Sequence, residues 1–217
     1  SAASDVYKRQ LHDSWVKTAG DLEVIQTEGF DALRVNHPVM EWKTKEKKKV
    51  YVQIGWDGRV APNELVQTFY LAQQKDQVTQ LSRDVDTAVS ELTQLVEDLS
   101  EDDKTDLAEV LNDKQDAFKK TELNKAIKDL PKLAKGETWP EDSTEAAMLS
   151  AKALIAQRDK LKKNLKAAQE QLEKDTYATI EALTEAQVDE VLTAKWITSL
   201  MDDLREIPGH VLAGLAG

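Results

Sequence analysis

The chain has 217 residues, 41% of them hydrophobic and 32% charged, which is enough apolar side chain for a core and disfavours a wholly disordered protein. Its net charge of −11 makes it a poor general binder of nucleic acid, and eight glycines with five prolines are too few for an all-β sandwich or barrel. The absence of cysteine excludes disulfides, cysteine–zinc sites and thiol nucleophiles.

The N-terminal segment is predicted to combine a helix with a small β unit. Apolar residues at helical spacing predict a helix over residues 5–19, which we expect Gly20 to end. The β-rich runs 22–26 and 50–54 predict two or three strands, and Asp57-Gly58 is a tight-turn signal.

Five lysines in seven residues make the strongest basic cluster of the chain. They are Lys43, Lys45, Lys47, Lys48 and Lys49. We favour a solvated hairpin loop here over a contact with nucleic-acid phosphates, which would use these same lysines. Trp42 and Trp56 flank the cluster, and we expect them to cover the small sheet rather than to stack on bases.

Two long helices with matching apolar stripes follow, over residues 61–99 and 141–176, with Asp142 or Ser143 as candidate caps for the second. The first stripe is Val78, Leu81, Val85, Ala88, Leu92, Leu95 and Leu99, and the second is Ala147, Ala151, Leu154, Arg158, Leu161, Leu165, Ala168 and Leu172. Steps of three and four define a heptad seam, so we expect an antiparallel coiled-coil hairpin, although a helix of another chain could replace either partner. Arg158 is expected to form an ion pair across the hairpin and to set its register.

Residues 100–140 are predicted to form a helical tip insertion between the long helices. Ser100 begins a capping-box-like start for an acidic helix that reaches Leu111, and another short helix is expected before Pro131.

The last predicted helix begins at a capping box formed by Thr184 and Gln187 and ends at Pro208-Gly209, before an apolar tail. Trp196 on this helix, like Trp15 on the first, is expected to be a buried packing anchor.

The chain lacks the short motifs of common active sites. It has no Gly-x-Gly-x-x-Gly or Gly-x-x-x-x-Gly-Lys-Ser/Thr loop, no pair of histidines four residues apart and no Gly-x-Ser-x-Gly elbow. No run of 18 apolar residues and no signal peptide are present, so we expect a cytoplasmic protein that does not span a membrane. The start Ser1-Ala2-Ala3-Ser4, without methionine, suggests a cloning scar on a fragment.

Three segments carry a family resemblance. Residues 5–15 with 21–25 resemble the pattern D-V-Y-x-x-L-x-x-Y-W … D-D-x-Y-L-I, and residues 60–69 resemble L-V-P-x-x-L-I-x-x-x-Y-F. Residues 161–172 and 177–196 resemble L-K-K-x-L-K-x-A-x-x-x-L … Y-x-x-x-x-L-T-E-A-E-I … K-W-L-x-x-L. In order and approximate spacing, the chain resembles the C-terminal region of modification subunits from type I restriction-modification systems.

The resemblance implies a bacterial or archaeal parent that transfers a methyl group from S-adenosylmethionine to adenine N6 in DNA. The N/D-P-P-Y/F motif and glycine-rich cofactor loop of that chemistry do not occur here, so no catalytic, cofactor or metal residue is carried over. The implied role is docking onto the helical spacers of the DNA-specificity subunit, beside a second modification subunit, and helping to enclose DNA. The candidate partner-binding residues are Trp196, Leu200, Leu204 and Arg158, and the candidate DNA contacts are the five clustered lysines.

The sequence therefore predicts a mainly α protein, with a long antiparallel coiled-coil hairpin, a small α+β base and a helical tip. The expected divisions are 1–60 (base), 61–99 (first long helix), 100–140 (tip), 141–176 (second long helix) and 177–217 (C-terminal helix and tail, packed on the base or a partner). The alternative is a generic coiled-coil scaffold without a link to DNA modification, which predicts no β unit over 22–60.

Overall fold

The computed structural model describes residues 2–132 and 137–205, which are mainly helical with one small sheet, as the sequence predicts. The helices are α1 Ala2–Glu28, a 3-10 helix Phe30–Arg34, α2 Asn63–Tyr70, α3 Ala72–Glu97, α4 Glu101–Asp106, α5 Lys120–Asp129, α6 Thr144–Ala182 and α7 Glu185–Arg205. The strands are β1 Asn36–Lys45 and β2 Lys48–Gly58. Among the described residues, no helix has the length and apolar character needed to cross a bilayer.

The described residues form two compact units. The first contains those up to Lys75 together with those from Glu170 onward, and the second is Asp76–Gln169. The predicted apolar tail and the predicted stop at Pro208-Gly209 lie outside the described residues.

Helix α1 is longer than predicted: it continues through Gly20 and ends at Glu28. The predicted strand 22–26 is therefore wrong. Val24 and Ile25 pack against the core of the first unit, and this tertiary contact outweighs their β propensity. The glycine that ends the helix is Gly29, whose φ of 79° lies in the left-handed region that L side chains rarely adopt.

The two strands form one antiparallel hairpin, with Lys45 paired to Lys48 next to the turn and Asn36 paired to Gly58 at the base. The turn residues Glu46 and Lys47 both have positive φ, 49° and 66°, as a two-residue type I′ turn requires. The lysine cluster thus surrounds a hairpin turn, but only Lys47 is in the turn itself, and the other four lysines lie on the strands instead of in the predicted loop.

The predicted turn at Asp57-Gly58 is instead the end of β2, where the chain leaves the sheet for α2. One oxygen of Asp57, Oδ1, accepts from the backbone N–H groups of Gly58 and Asn63, at 2.9 and 3.0 Å. This carboxylate therefore fixes the connection between the sheet and the helix.

The core of the first unit joins the 3-10 helix, the entry to α2, the end of α6 and the first half of α7. Its largest fully buried side chains are Leu33, Val66, Ile180, Leu183, Val188 and Val191. The predicted capping box is confirmed at the start of α7: the N–H of Gln187 donates to Thr184 Oγ1 at 3.3 Å, and the N–H of Thr184 donates to Gln187 Oε1 at 2.9 Å.

The long helix predicted over 61–99 is divided into α2 and α3. The backbone at Leu71, with φ −129° and ψ 27°, interrupts it. At the end of α2, Tyr70 donates a 2.6 Å hydrogen bond to Glu190 of α7, which holds α2 in the first unit.

In the second unit, a separate core joins the end of α3, the segment after α4, helix α5 and the start of α6. Its buried members are Val96, Leu107, Val110, Leu111, Leu123, Met148, Ala151 and Ile155. Every residue of the two predicted stripes is buried or half-buried. The predicted caps Ser100 and Ser143 are confirmed, since their hydroxyls accept from the N–H groups of Asp103 and Ala146 at 3.1 and 3.2 Å. Helix α4, however, stops at Asp106 instead of reaching Leu111, because the following turn directs Leu107 and Leu111 into this core.

Candidate interaction surfaces

A buried carboxylate joins α1 to α7. Asp21 is only 9% exposed, and its oxygens accept hydrogen bonds from Lys195 Nζ at 2.9 Å and from the indole N–H of Trp196 at 3.0 Å. Lys195 Nζ also donates to the carbonyl of Val60 at 2.9 Å. Trp196 is half-buried rather than fully buried, but it is a packing anchor as predicted, because it packs against the core of the first unit and its indole N–H is engaged within the chain.

The two helices run antiparallel at this bond. Val24 and Ile25, which follow Asp21, share a core with Val188 and Leu192, which precede Lys195. The residues before Asp21 on α1 and after Trp196 on α7 therefore extend together beyond the bond.

Large apolar side chains on these extensions face solvent. Ile197 is 56% exposed, and Leu200 and Met201 are also exposed. These three residues, at spacings of three and four, share one face of α7. We call Ile197, Leu200 and Met201 the α7 apolar face. The side chain of Leu204, the other leucine predicted to bind a partner, lies outside the described residues.

Trp15 differs from the prediction. It is 64% exposed on α1 and so is not a buried packing anchor. Helical spacing places apolar residues on one face, but it does not determine whether another element of the same chain covers that face. Together with Val16, also exposed, Trp15 gives the α1 extension apolar surface like that of α7.

A second ion pair ties the end of α1 to the segment after β2. Arg59 donates two hydrogen bonds to the carboxylate of Glu28, at 2.6 and 2.7 Å. This bidentate hydrogen bonding, helped by the guanidinium charge, lowers the pKa of Glu28 below its ordinary value.

The lysine-bearing end of the hairpin is exposed on both faces. Residues paired across the strands share a face, so Lys43, Lys45 and Lys48 lie on one face and Lys49 lies on the other, while Lys47 is in the turn. Lys43 is 3.7 Å from Glu41, and the other four lysines form no ion pair with a described residue.

The exposed face beside Lys49 carries an aromatic pair. Trp42 is 66% exposed, and its ring centroid lies 4.9 Å from that of Tyr51 on the opposite strand. Trp42 therefore covers its cross-strand neighbour but remains largely in solvent, so the prediction that it covers the sheet holds only for this contact.

Trp56 lies where β2 meets α6. Its ring is edge-on to that of Tyr177, with centroids 5.2 Å apart, and the two rings line an open groove of about 430 Å³ together with Glu170, Glu173 and Lys174. A hydrogen bond to Glu181, aided by burial, raises the pKa of Tyr177. Sequence reasoning missed this groove, because no local signal brings residue 56 to residue 177.

Arg158 does not make the predicted ion pair across the two long helices. Its guanidinium Nη2 donates to the neighbouring Asp159 at 2.7 Å, and Lys120 of α5 bonds to the same carboxylate. The hydrogen bond from Lys120, followed by that from Arg158, lowers the pKa of Asp159. The side-chain hydrogen bond that joins two helices here is therefore donated by Lys120 of α5, in the predicted tip, and not by Arg158. A role for Arg158 in partner binding remains a prediction.

Within the described ranges, no cluster of three or more histidine, aspartate or glutamate side chains is placed to hold a metal ion. The surface features described here are exposed apolar side chains and a cluster of exposed lysines.

Comparison with models of known protein families, with curated proteins and with solved structures finds no match.

Proposed function

We propose that this chain is the non-catalytic C-terminal assembly region of a type I modification subunit, acting in the bacterial or archaeal cytoplasm. In this role it docks onto the DNA-specificity subunit, next to a second modification subunit, and so supports adenine methylation by the assembled enzyme. The observation that carries the proposal is the α7 apolar face, which is exposed on a helix already fixed by the Asp21 bonds.

The α7 apolar face has the form that helix-to-helix docking uses. Ile197 and Leu200 project from a helix whose opposite side is held by Val188 and Val191 in the core, so the exposed side is presented without reorganisation of the fold. A helical partner supplies apolar side chains at the same spacings of three and four. The spacer helices of a specificity subunit are the partner that the resemblance implies.

The burial of both predicted stripes supports a hairpin formed by α3 and α6 within the second unit. Leu92, Leu95 and Val96 near the end of α3 share a core with Met148 and Ile155 near the start of α6, which is the relation expected of antiparallel helices. We include this coiled-coil hairpin in the proposal as the scaffold that carries the tip.

The β hairpin favours this proposal over a generic coiled-coil scaffold. A scaffold made only of paired helices has no need for a two-stranded sheet, nor for a tryptophan that fastens α7 to α1. The resemblance accounts for Trp196 and Lys195 together, because they form the Lys-Trp pair of its last motif.

The methyl transfer belongs to a part of the parent that these 217 residues do not contain, and no residue here is assigned to it. The reading frame upstream of residue 5 is expected to encode an Asn-Pro-Pro-Tyr-type motif and a glycine-rich cofactor loop. A frame without either motif would contradict the assignment to this family.

Docking is tested by gel filtration with the cognate specificity subunit. The wild-type chain is expected to co-elute with it, and a chain carrying Ile197→Glu and Leu200→Glu is expected to elute alone, because two charges cannot be buried unpaired at a helix interface. The matched control carries Val89→Glu and Leu149→Glu, which place the same charges at exposed apolar positions of the second unit. Failure of the wild type to co-elute, or equal loss in both double variants, would contradict the proposal.

A further inference from the structure

We propose that the β1–β2 hairpin is a duplex-DNA contact in which its clustered lysines bind backbone phosphates. The choice of DNA as the partner rests on the proposed function, and the site rests on the charge and geometry of the hairpin.

The hairpin end is opposite in charge to the chain that carries it. Residues 41–51 contain five lysines and two glutamates, a net charge of +3, whereas the whole chain has a net charge of −11. Four of the five lysines have no carboxylate partner among the described residues, so their charges remain available to an external polyanion. This local basic patch contrasts with the acidic chain, which as a whole repels DNA.

The backbone holds these lysines in fixed positions. The two-residue turn at Glu46 and Lys47 closes the strands in register, and the pairs Thr44–Lys49 and Lys45–Lys48 place side chains on both faces. The contact between Trp42 and Tyr51 braces the strands two pairs behind Thr44–Lys49. The lysines are therefore displayed on an ordered ribbon, which lowers the entropic cost of forming several phosphate contacts at once.

A two-stranded ribbon has the width of the DNA major groove, about 12 Å. Ten residues of strand extend about 33 Å, so the ribbon can reach across the groove and place lysines against the phosphates on both sides. Lysines on both faces and in the turn suit this arrangement. A flat anionic surface would contact only the lysines of one face.

The test measures the binding of the full chain to a fluorescent 24-base-pair duplex by anisotropy, between 50 and 200 mM KCl. The hairpin variant carries Lys45→Ala, Lys47→Ala and Lys48→Ala. The matched control carries Lys160→Ala, Lys162→Ala and Lys163→Ala on α6, which are also exposed and change the net charge by the same amount. The hairpin variant is expected to bind at least about tenfold more weakly. The negative slope of log K against log salt should become shallower by about 3, one unit for each lost phosphate contact. The control is expected to stay within about twofold of the wild type.

Several outcomes would overturn the inference. Equal weakening in the two triple variants would show a general effect of charge, and no measurable binding by the wild type would show that no contact exists. If a single-stranded oligonucleotide bound more tightly than the duplex and Trp42→Ala abolished that binding, the hairpin would bind single-stranded nucleic acid through stacking of bases on Trp42. Displacement of the duplex by phosphatidylserine vesicles, but not by unlabelled duplex, would identify a membrane surface.

The inference and the proposed function fail separately. A chain that co-elutes with the specificity subunit, yet binds duplex equally well with and without the hairpin lysines, contradicts only the inference. A chain whose duplex binding depends on those lysines but which does not dock contradicts only the assembly role. Melting temperatures of both triple variants are expected to match the wild type, because the substituted lysines are exposed.

Discussion

The indole N–H of Trp196 donates a 3.0 Å hydrogen bond to Asp21, a residue 175 positions earlier in the chain. Lys195, one residue before Trp196, binds the same carboxylate. The fold thus places two donors of one helix on a single buried acceptor of another. This arrangement fixes α1 against α7, and with it the position of the α7 apolar face.

Asp21→Ala should lower the free energy of unfolding by about 2–4 kcal/mol. The substitution leaves the ammonium of Lys195 and the indole N–H of Trp196 without their buried acceptor, and breaking such a pair costs more than removing an exposed ion pair. Urea denaturation followed by circular dichroism measures the change. Asp13→Ala, at an exposed position of the same helix, should leave the unfolding midpoint nearly unchanged.

Gly58→Ala should destabilise the first unit by about 2–3 kcal/mol, which is the upper part of the range for overpacked sites. A Cβ there would lie 1.9 Å from the carbonyl oxygen of Ala61 and 3.1 Å from Ile180 Cδ1, so the backbone itself must move. Gly55→Ala is the control, because its Cβ would meet only the flexible side chain of Glu173, at 3.0 Å. Equal melting temperatures for the two variants would contradict this packing.

Thr184→Ala should lower stability by about 1 kcal/mol through loss of the capping box at the start of α7. Thr193→Ala, on the exposed side of the same helix, should be neutral or slightly stabilising, because alanine has the higher helix propensity. Thermal unfolding of the two variants compares a cap with a mid-helix threonine. If both variants lost the same stability, the hydroxyl of Thr184 would have no special role.

Tyr70 should make stability fall at alkaline pH. Burial, together with the hydrogen bond to Glu190, raises the pKa of Tyr70 to about 12. Because the folded state favours the protonated phenol, this contribution is complete below the ordinary pKa near 10 and is lost as the pH rises towards 12. The stability difference between wild type and Tyr70→Phe should therefore be constant up to about pH 10 and then shrink.

Spectroscopic titration checks the same group directly. The tyrosinate absorbance of the wild type minus that of Tyr70→Phe should rise with a midpoint near pH 12. A midpoint near 10, the ordinary value for tyrosine, would show that the phenol is neither buried nor bound to Glu190.

Local signals in the sequence were sufficient for caps and stripes. Thr184 with Gln187, and Ser143 alone, bond to backbone N–H groups within three residues, so their pattern carries the whole interaction. The stripe of α6 was predictable for the same reason, because one helical period determines which side chains share a face.

Contacts between residues distant in the chain determine the features that local sequence signals did not predict. Gly20 and Gly29 are equally good helix terminators in the sequence, and only packing of Val24 and Ile25 on the core selects Gly29. The bond between Asp21 and Trp196 joins residues too distant for any pattern to pair them. Exposure is also a property of the whole fold, so the helical spacing of Trp15 does not reveal that this side chain faces solvent.

The central claim is that the α7 apolar face meets the specificity subunit in the assembled enzyme. Photo-crosslinking from a benzoylphenylalanine introduced at position 197 of the full modification subunit tests it most directly. The position-197 probe is expected to capture the specificity subunit, and the same probe at exposed position 109 of the second unit is expected not to. Capture of the specificity subunit from position 109 but not from position 197, in an enzyme that still assembles, would contradict the account.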